Sequence, residues 1–141
     1  MKALRTVAIV LVGLVVLALA LDLYIGLRQP EIGGRECVLR TVDEAGEVHE
    51  TRLALVEDHG TLWVQSGHHF RGWYERVLQH PDVEVVLDDE AHPFRAVPLD
   101  TPEARAHMTR LLKQRTGPVR FYAIRTVLLF AEIKPVRLDP R

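Results

Sequence analysis

Cysteine is almost missing from this sequence. Cys37 stands alone among 141 residues, which excludes an internal disulfide framework and any metal site built from several thiolates. Its remaining role is that of a small buried hydrophobe. A basic excess is missing too: 18 Lys and Arg face 19 Asp and Glu, for a net charge of −1, which speaks against a general nucleic-acid binder. There is no phosphate-loop pattern, no nucleophile elbow and no Ser-His-Asp context, so nucleoside-triphosphatase and hydrolase chemistry find no support. The seven histidines lack ligand spacing: His49, His59, His80, His92 and His107 are scattered, and the adjacent His68 and His69 point apart on a strand or loop. No metal site is expected. The length suits one small domain, and the composition is neither that of a disordered tail nor that of a repeat array.

What the chain has in quantity is one apolar run. Val7 to Leu21 carries no polar side chain, and the apolar character resumes after Asp22 as Leu23, Tyr24, Ile25, Gly26 and Leu27. About 20 residues at roughly 1.5 Å rise each cross a bilayer core of about 30 Å. The expected organisation is a transmembrane anchor over 1–27, a linker over 28–35 marked by Pro30, Gly33 and Gly34, and a folded domain over 36–141. Lys2 and Arg5 flank one end, whereas Asp22, Arg28 and Glu31 nearly cancel at the other. The positive-inside rule then predicts a single-pass plasma (inner) membrane protein, amino terminus cytoplasmic and domain extracytoplasmic. Ala18-Leu19-Ala20 fits a signal-peptidase pattern, but the run is longer than a signal core and continues past that point. Either alternative exports the domain. Asp22 is expected near the outer interface, reaching headgroup water.

The domain is divided in charge. Glu36 to Glu103 holds 5 Lys and Arg against 15 Asp and Glu, and Ala104 to the end holds 9 against 2. The two parts can neutralise each other by packing, or the arginines can face an anionic cofactor or lipid headgroups.

Glu36 to Val42 and Val48 to Val56 are rich in β-branched residues around the turn Asp43-Glu44-Ala45-Gly46, and His59-Gly60 turns into Thr61 to Ser66. Trp73 to His80 reads as a short helix stopped by Pro81. Val83 to Leu87 and His92 to Leu99 are further strands, the second with Pro93 and Pro98 that suit an edge. Thr101-Pro102 caps a helix with Ala104, Met108, Leu111 and Leu112 inward, ended by Thr116-Gly117-Pro118. Thr126 to Leu138 reads as a last strand that leaves at an edge through Pro135. The fold class predicted is mainly β (α+β): an antiparallel barrel with two or three short helices behind one amino-terminal transmembrane helix.

One stretch carries a likeness. Leu62-Trp63-Val64-Gln65-Ser66-Gly67, then Trp73-Tyr74, then His80-Pro81-Asp82-Val83-Glu84-Val85 resembles the deazaflavin-dependent nitroreductase and quinone reductase family of the flavin-binding split β-barrel superfamily. The likeness spans roughly Leu39 to Pro140, with its motif confined to about Gln65 to Val85. It implies a split barrel, a deazaflavin coenzyme or FMN, and hydride transfer to a quinone-like or nitro acceptor. A membrane tether would suit a lipid-soluble quinone. The likeness also implies that Gln65, Ser66, Gly67, His68, Arg71 and Trp73 form the cofactor loop, where backbone donors at a helix start suit a phosphate. Tyr74 and His69 are the best-placed proton donors. Arg120 and Arg125, flanking Phe121, Tyr122 and Ile124, are expected to line the pocket, and Arg110 and Lys113 to meet headgroups. The alternative class is a non-catalytic split barrel that binds haem, a hydrophobic ligand or a partner protein. Other expected partners are the bilayer and a second copy in a homodimer, with no nucleic acid.

Overall fold

The computed structural model describes residues 2–28, 35–70 and 72–141. Helix α1 (Lys2–Arg28) is followed by strands β1 (Arg35–Val42), β2 (Val48–Asp58) and β3 (Thr61–Ser66), helix α2 (Gly72–Gln79), and strands β4 (Asp82–Leu87) and β5 (Glu90–Pro98). Helices α3 (Pro102–Thr116) and α4 (Pro118–Val127) and strand β6 (Lys134–Pro140) complete the chain. Most of the linker expected over 28–35 and the candidate ligand Arg71 lie outside the described residues.

The six strands close into an antiparallel barrel in the order β1-β2-β3-β6-β5-β4, with β4 returning to β1. Closure removes the open edges that short strands would otherwise present. Alternation along each strand then sorts side chains into the barrel or onto its outer wall. Leu39, Leu53, Val64, Val85, Val136 and Leu138 fill the interior with Cys37. Trp73, Tyr74 and Val77 of α2 join the same cluster, so the short helix stoppers one end of the barrel. On the outer wall Val56 and Ile133 meet Met108 and Leu112 of α3 and Phe121 of α4, with Trp63 packed against them. Helix α3 starts as its sequence demands: Thr101 Oγ1 accepts from the Ala104 N–H at 3.2 Å, and Pro102 takes a position with no intrahelical donor to lose.

Two expectations are corrected. Thr126 to Leu138 is not one strand: its first part ends α4, the chain turns through Leu129 and Phe130 with φ of 49° and 53°, and β6 begins only at Lys134. Gly117-Pro118 stops α3 and at once starts α4, because proline suits a first helical position. Pro93, Pro98 and Pro135 do not mark edges either. They lie on β5 and β6, which pair with each other and are flanked on both sides. The carbonyls of Pro93 and Pro135 stay in use, accepting from Arg141 and Leu99, so the missing prolyl donor is the only loss.

From Lys2 to Tyr24 helix α1 is largely apolar and exposed, apart from half-buried Ala18 and fully buried Asp22. Lys2–Tyr24 is long and apolar enough to cross a bilayer. The helix also touches α4.

Candidate functional site

The end of β3 and the loop after it form the candidate site. Because side chains alternate, Val64 and Ser66 turn toward the barrel, whereas Trp63 and Gln65 lie on the outer wall under α3 and α4. Gln65, Gly67, Leu112, Phe121, Ile124 and Arg125 line a largely apolar cavity of about 40 Å³ between that wall and the two helices. Three buried polar atoms there and beside it have no hydrogen-bond partner among the described residues: Trp63 Nε1, Gln65 Oε1 and Ser66 Oγ. Unpaired buried polar atoms are costly, so three within four residues of one strand single this strand end out. A Cβ placed on Gly67 would sit 3.0 Å from Gln65 Oε1. A side chain there would press on the Gln65 carboxamide, which would have to shift.

The loop beyond Gly67 is built around a carboxylate from another element. His68 Nδ1 lies 3.3 Å from Asp22 Oδ1, and the His69 N–H donates to Asp22 Oδ2 at 3.2 Å. Asp22 and His68 are both buried. Asp22 therefore does not reach for headgroup water as expected; it is held inside the protein, where a charge needs such partners. The loop does bind an anion, and that anion is the chain's own.

Other expected site residues are distributed as follows. Trp73 and Tyr74 are in the barrel core, their rings edge to face at 5.9 Å, and Lys134 Nζ lies 5.4 Å over the Tyr74 ring. His69 has an exposed side chain. Arg125 reaches the cavity, but its guanidinium donates to the carbonyls of Phe130 and Ala131, and burial lowers its pKa from the ordinary arginine value. Arg120 is exposed on α4 away from the cavity lining. The structure thus brings Gln65, Gly67 and Arg125 together around the cavity, turns Ser66 into the barrel and seats His68 against Asp22, and leaves Arg120, Trp73 and Tyr74 outside that group. Sequence reasoning did not place Asp22 here, nor Leu128 on the cavity wall; Phe121 and Ile124 belong to the aromatic-basic stretch expected beside the pocket, and both stand on this wall. The signal was present for Asp22, the only charged residue between Arg5 and Arg28.

The hairpin opposite is acidic. Asp43, Glu47 and His49 bring three potential metal-ligand atoms within 4.8 Å of one another. Their geometry is explained by the turn itself: Asp43 Oδ1 accepts from the Ala45 and Glu47 N–H groups, and Asp43 Oδ2 lies 2.8 Å from His49 Nε2. The contact with His49, then the Glu47 and Ala45 donors, hold the Asp43 carboxyl below the usual aspartate value.

These features, a closed six-stranded antiparallel barrel with a cavity against its outer helices, define a split-barrel protein. Its neighbours among solved structures are split barrels of the flavin- and deazaflavin-binding kind. One is HutZ, the haem storage protein from Vibrio cholerae, 17% identical over 82% of this chain and 85% of its own, TM-score 0.58. A second is an F420-H2-dependent reductase, 21% identical over 74% of this chain and 93% of its own, TM-score 0.54. A third is described as a domain-swapped dimer, 20% identical over 80% and 87%, TM-score 0.58. At these identities the likeness is one of fold. No family model matches the chain, and no curated protein does.

Against a flavin or deazaflavin, the strand end and the loop give different answers. The Gln65 carboxamide and the bare Gly67 backbone suit the polar edge of a heterocyclic ring. The phosphate half does not fit the loop as folded, because Asp22 already holds the His69 donor and faces the His68 ring. The cavity, moreover, has space for about one water, whose share of liquid volume is about 30 Å³.

Proposed function

We propose that the chain is a membrane-tethered split-barrel oxidoreductase that binds the ring of a flavin or deazaflavin at the end of β3 and serves a quinone-like or nitro acceptor. The observation that carries this reading is the Gln65 Oε1 atom, unsatisfied among the described residues, beside Gly67 at an apolar cavity. Such a cofactor, when bound, supplies the hydride chemistry. The chain's own part is to bind and orient: Gln65 accepts a hydrogen bond from a ring N–H, and Phe121, Ile124, Leu128 and Ile133 exclude water from the ring face. Binding requires α4 to move from the wall and Asp22 to yield the His69 donor wherever a phosphate enters. His69, exposed on the loop, is the side chain free to deliver a proton to an acceptor. Tethering by α1 keeps this site within reach of acceptors dissolved in the bilayer.

Titration of the detergent-purified full chain with FMN, with a deazaflavin coenzyme and with haemin tests this. Quenching of flavin or deazaflavin fluorescence is expected, weakened about tenfold in Gln65→Leu by loss of one hydrogen bond of about 1.4 kcal/mol. Failure of both flavins to bind would overturn the proposal. A second reading, a non-catalytic module binding haem or a hydrophobic ligand, is favoured by the Asp22 carboxylate seated on the loop. Haemin absorbance changes without flavin binding would select it.

A further inference from the structure

The described residues leave one apolar helix face of the domain uncovered, and it lies where α1 meets the barrel. On α4, Phe121, Ile124 and Leu128 face inward, while Val119, Tyr122, Ala123, Thr126 and Val127 are exposed, Val119 by 84%. Phe130 continues this face at 60% exposure. No charged residue interrupts it. The rim is cationic: the stretch from Ala104 to Ala131 contains six Lys and Arg and no Asp or Glu. Lys113 donates to the Tyr122 hydroxyl at 2.6 Å, so its ammonium stands at the border of the apolar face. Arg110 and Arg120 have no ion-pair partner among the described residues.

Three connections fix the depth of this face relative to α1. Asp22, two residues before Tyr24 closes the apolar span, is bonded to the loop at His68 and His69. Gly67 of that loop lines the same cavity as Phe121, Ile124 and Leu128 of the α4 segment. Helix α4 itself touches α1. An apolar span that crosses a bilayer and ends at Tyr24 places these elements, joined to it through Asp22, at headgroup level. Phe70, next on the loop and half exposed, lies at the same level. An apolar face with aromatic residues and a cationic rim is the composition of a helix lying in a membrane interface.

We infer that the outer face of α4, with Phe70, is a second membrane contact: it lies in the headgroup layer beside α1, with Val119, Tyr122 and Phe130 among the acyl chain ends and Lys113, Arg110 and Arg120 on anionic lipid. The domain is then seated on the bilayer and does not swing on its tether, and the cavity behind α4 opens toward lipid. This rests on α1 crossing the membrane, which the control below tests separately.

The full chain is reconstituted into vesicles of equal parts phosphatidylcholine and phosphatidylglycerol, with an environment-sensitive label on single introduced cysteines. Val119→Cys, Tyr122→Cys and Phe130→Cys report the α4 face, Val12→Cys the span, and Leu78→Cys an exposed apolar position on α2. Cys37 is buried and does not compete for label. Nitroxide-bearing lipids should quench the α4 labels several-fold more than the Leu78 label, and aqueous iodide should show the reverse order. Arg110→Glu with Arg120→Glu should reduce the lipid quenching in these vesicles and leave melting unchanged. If the Val12 label is lipid-quenched while the α4 labels behave like Leu78, the inference is overturned. Protection of the α4 labels in detergent that grows with protein concentration also overturns it, and assigns the face to a second copy. An unquenched Val12 label overturns the membrane-spanning reading itself.

Discussion

Asp22 holds two roles that pull in opposite directions. A carboxylate at the end of an apolar helix is costly to bury without donors, and the donors it uses are those the loop would offer to a phosphate. Asp22→Asn keeps the shape and removes the charge. The expected outcome is a loss of stability of about 1.5–3 kcal/mol, the range for hydrogen bonds to charged groups, read as a lower melting temperature. The same variant should bind inorganic phosphate or FMN more tightly than the parent; equal affinity in a titration would show that Asp22 does not compete for the loop. Cys37 gives a second check at this scale. Burial, then the neighbouring Glu36, pushes its thiol up to about 12 from 9.0. The thiol should therefore resist alkylation at pH 8 until the protein unfolds. A group whose folded pKa is raised lends stability that is intact below its unfolded value and lost as pH rises toward the folded one. Denaturant midpoints should fall between pH 9 and 12, and Cys37→Ser should flatten that fall.

Elements differ in how far the sequence announced them. The β1 to β3 meander, the Thr101-Pro102 helix start and the amino-terminal apolar helix were legible, because alternation, capping and an unbroken apolar run are local signals. Closure of the barrel was legible only as a class: prolines on β5 and β6 suggested edges, and nothing local reports that both strands find partners on each side. Helix α4 was missed because Val127-Leu128-Leu129-Phe130-Ala131 has the apolar length of a buried strand, while the features that decide it are a Gly-Pro restart and two left-handed residues. Gln65, Ser66 and Gly67 were found through a family likeness, and the Asp22 contact joins residues 46 and 47 positions apart, beyond any local pattern. Gly117 carries a prediction of its own. Its φ of 79° and ψ of 151° lie in a region nearly closed to side chains, although a Cβ there would meet nothing within 4 Å. Gly117→Ala should thus cost about 1–3 kcal/mol from backbone strain alone, a drop in melting temperature without change in the folded spectrum. Trp73→Ala should cost more, about 3–5 kcal/mol, since the indole is buried in the barrel end; an unchanged melting temperature would remove α2 as the stopper.

At the scale of the molecule, charge is arranged so that the acidic strands and basic helices meet only in part. Arg105 pairs with Glu132 and Asp100, and Arg115 donates to the carbonyls of Leu55 and Glu57. Arg110 and Arg120 have no ion-pair partner among the described residues and stay available on the surface of α3 and α4. Two carboxylates tie the far side: Asp43 is held below its ordinary value of 3.8 chiefly by His49, and Asp139 by Arg137. Depressed carboxyl values lend stability that is present above the unfolded pKa and lost as pH falls through the folded one. Acid should therefore loosen the hairpin below about pH 4 before the barrel unfolds, visible as early hydrogen exchange at Val42 to Val48. Orientation is the larger question for a tethered barrel, since it decides which solutes reach the β3 end. Lys2 and Arg5 precede the span, and the structure removes Asp22 from the opposite flank by partnering it inside the domain. What counts for topology is the basic residues near each end: Lys2 and Arg5 at the first end, Arg28 and the more distant Arg35 after the span. The domain is therefore expected outside the cytoplasm. A carboxy-terminal reporter that works only in the cytoplasm should stay silent, and Lys2→Glu with Arg5→Glu should make a fraction of it active. A strong signal from the parent chain would place the barrel inside, on the opposite membrane surface, facing the cytoplasmic pool of cofactors.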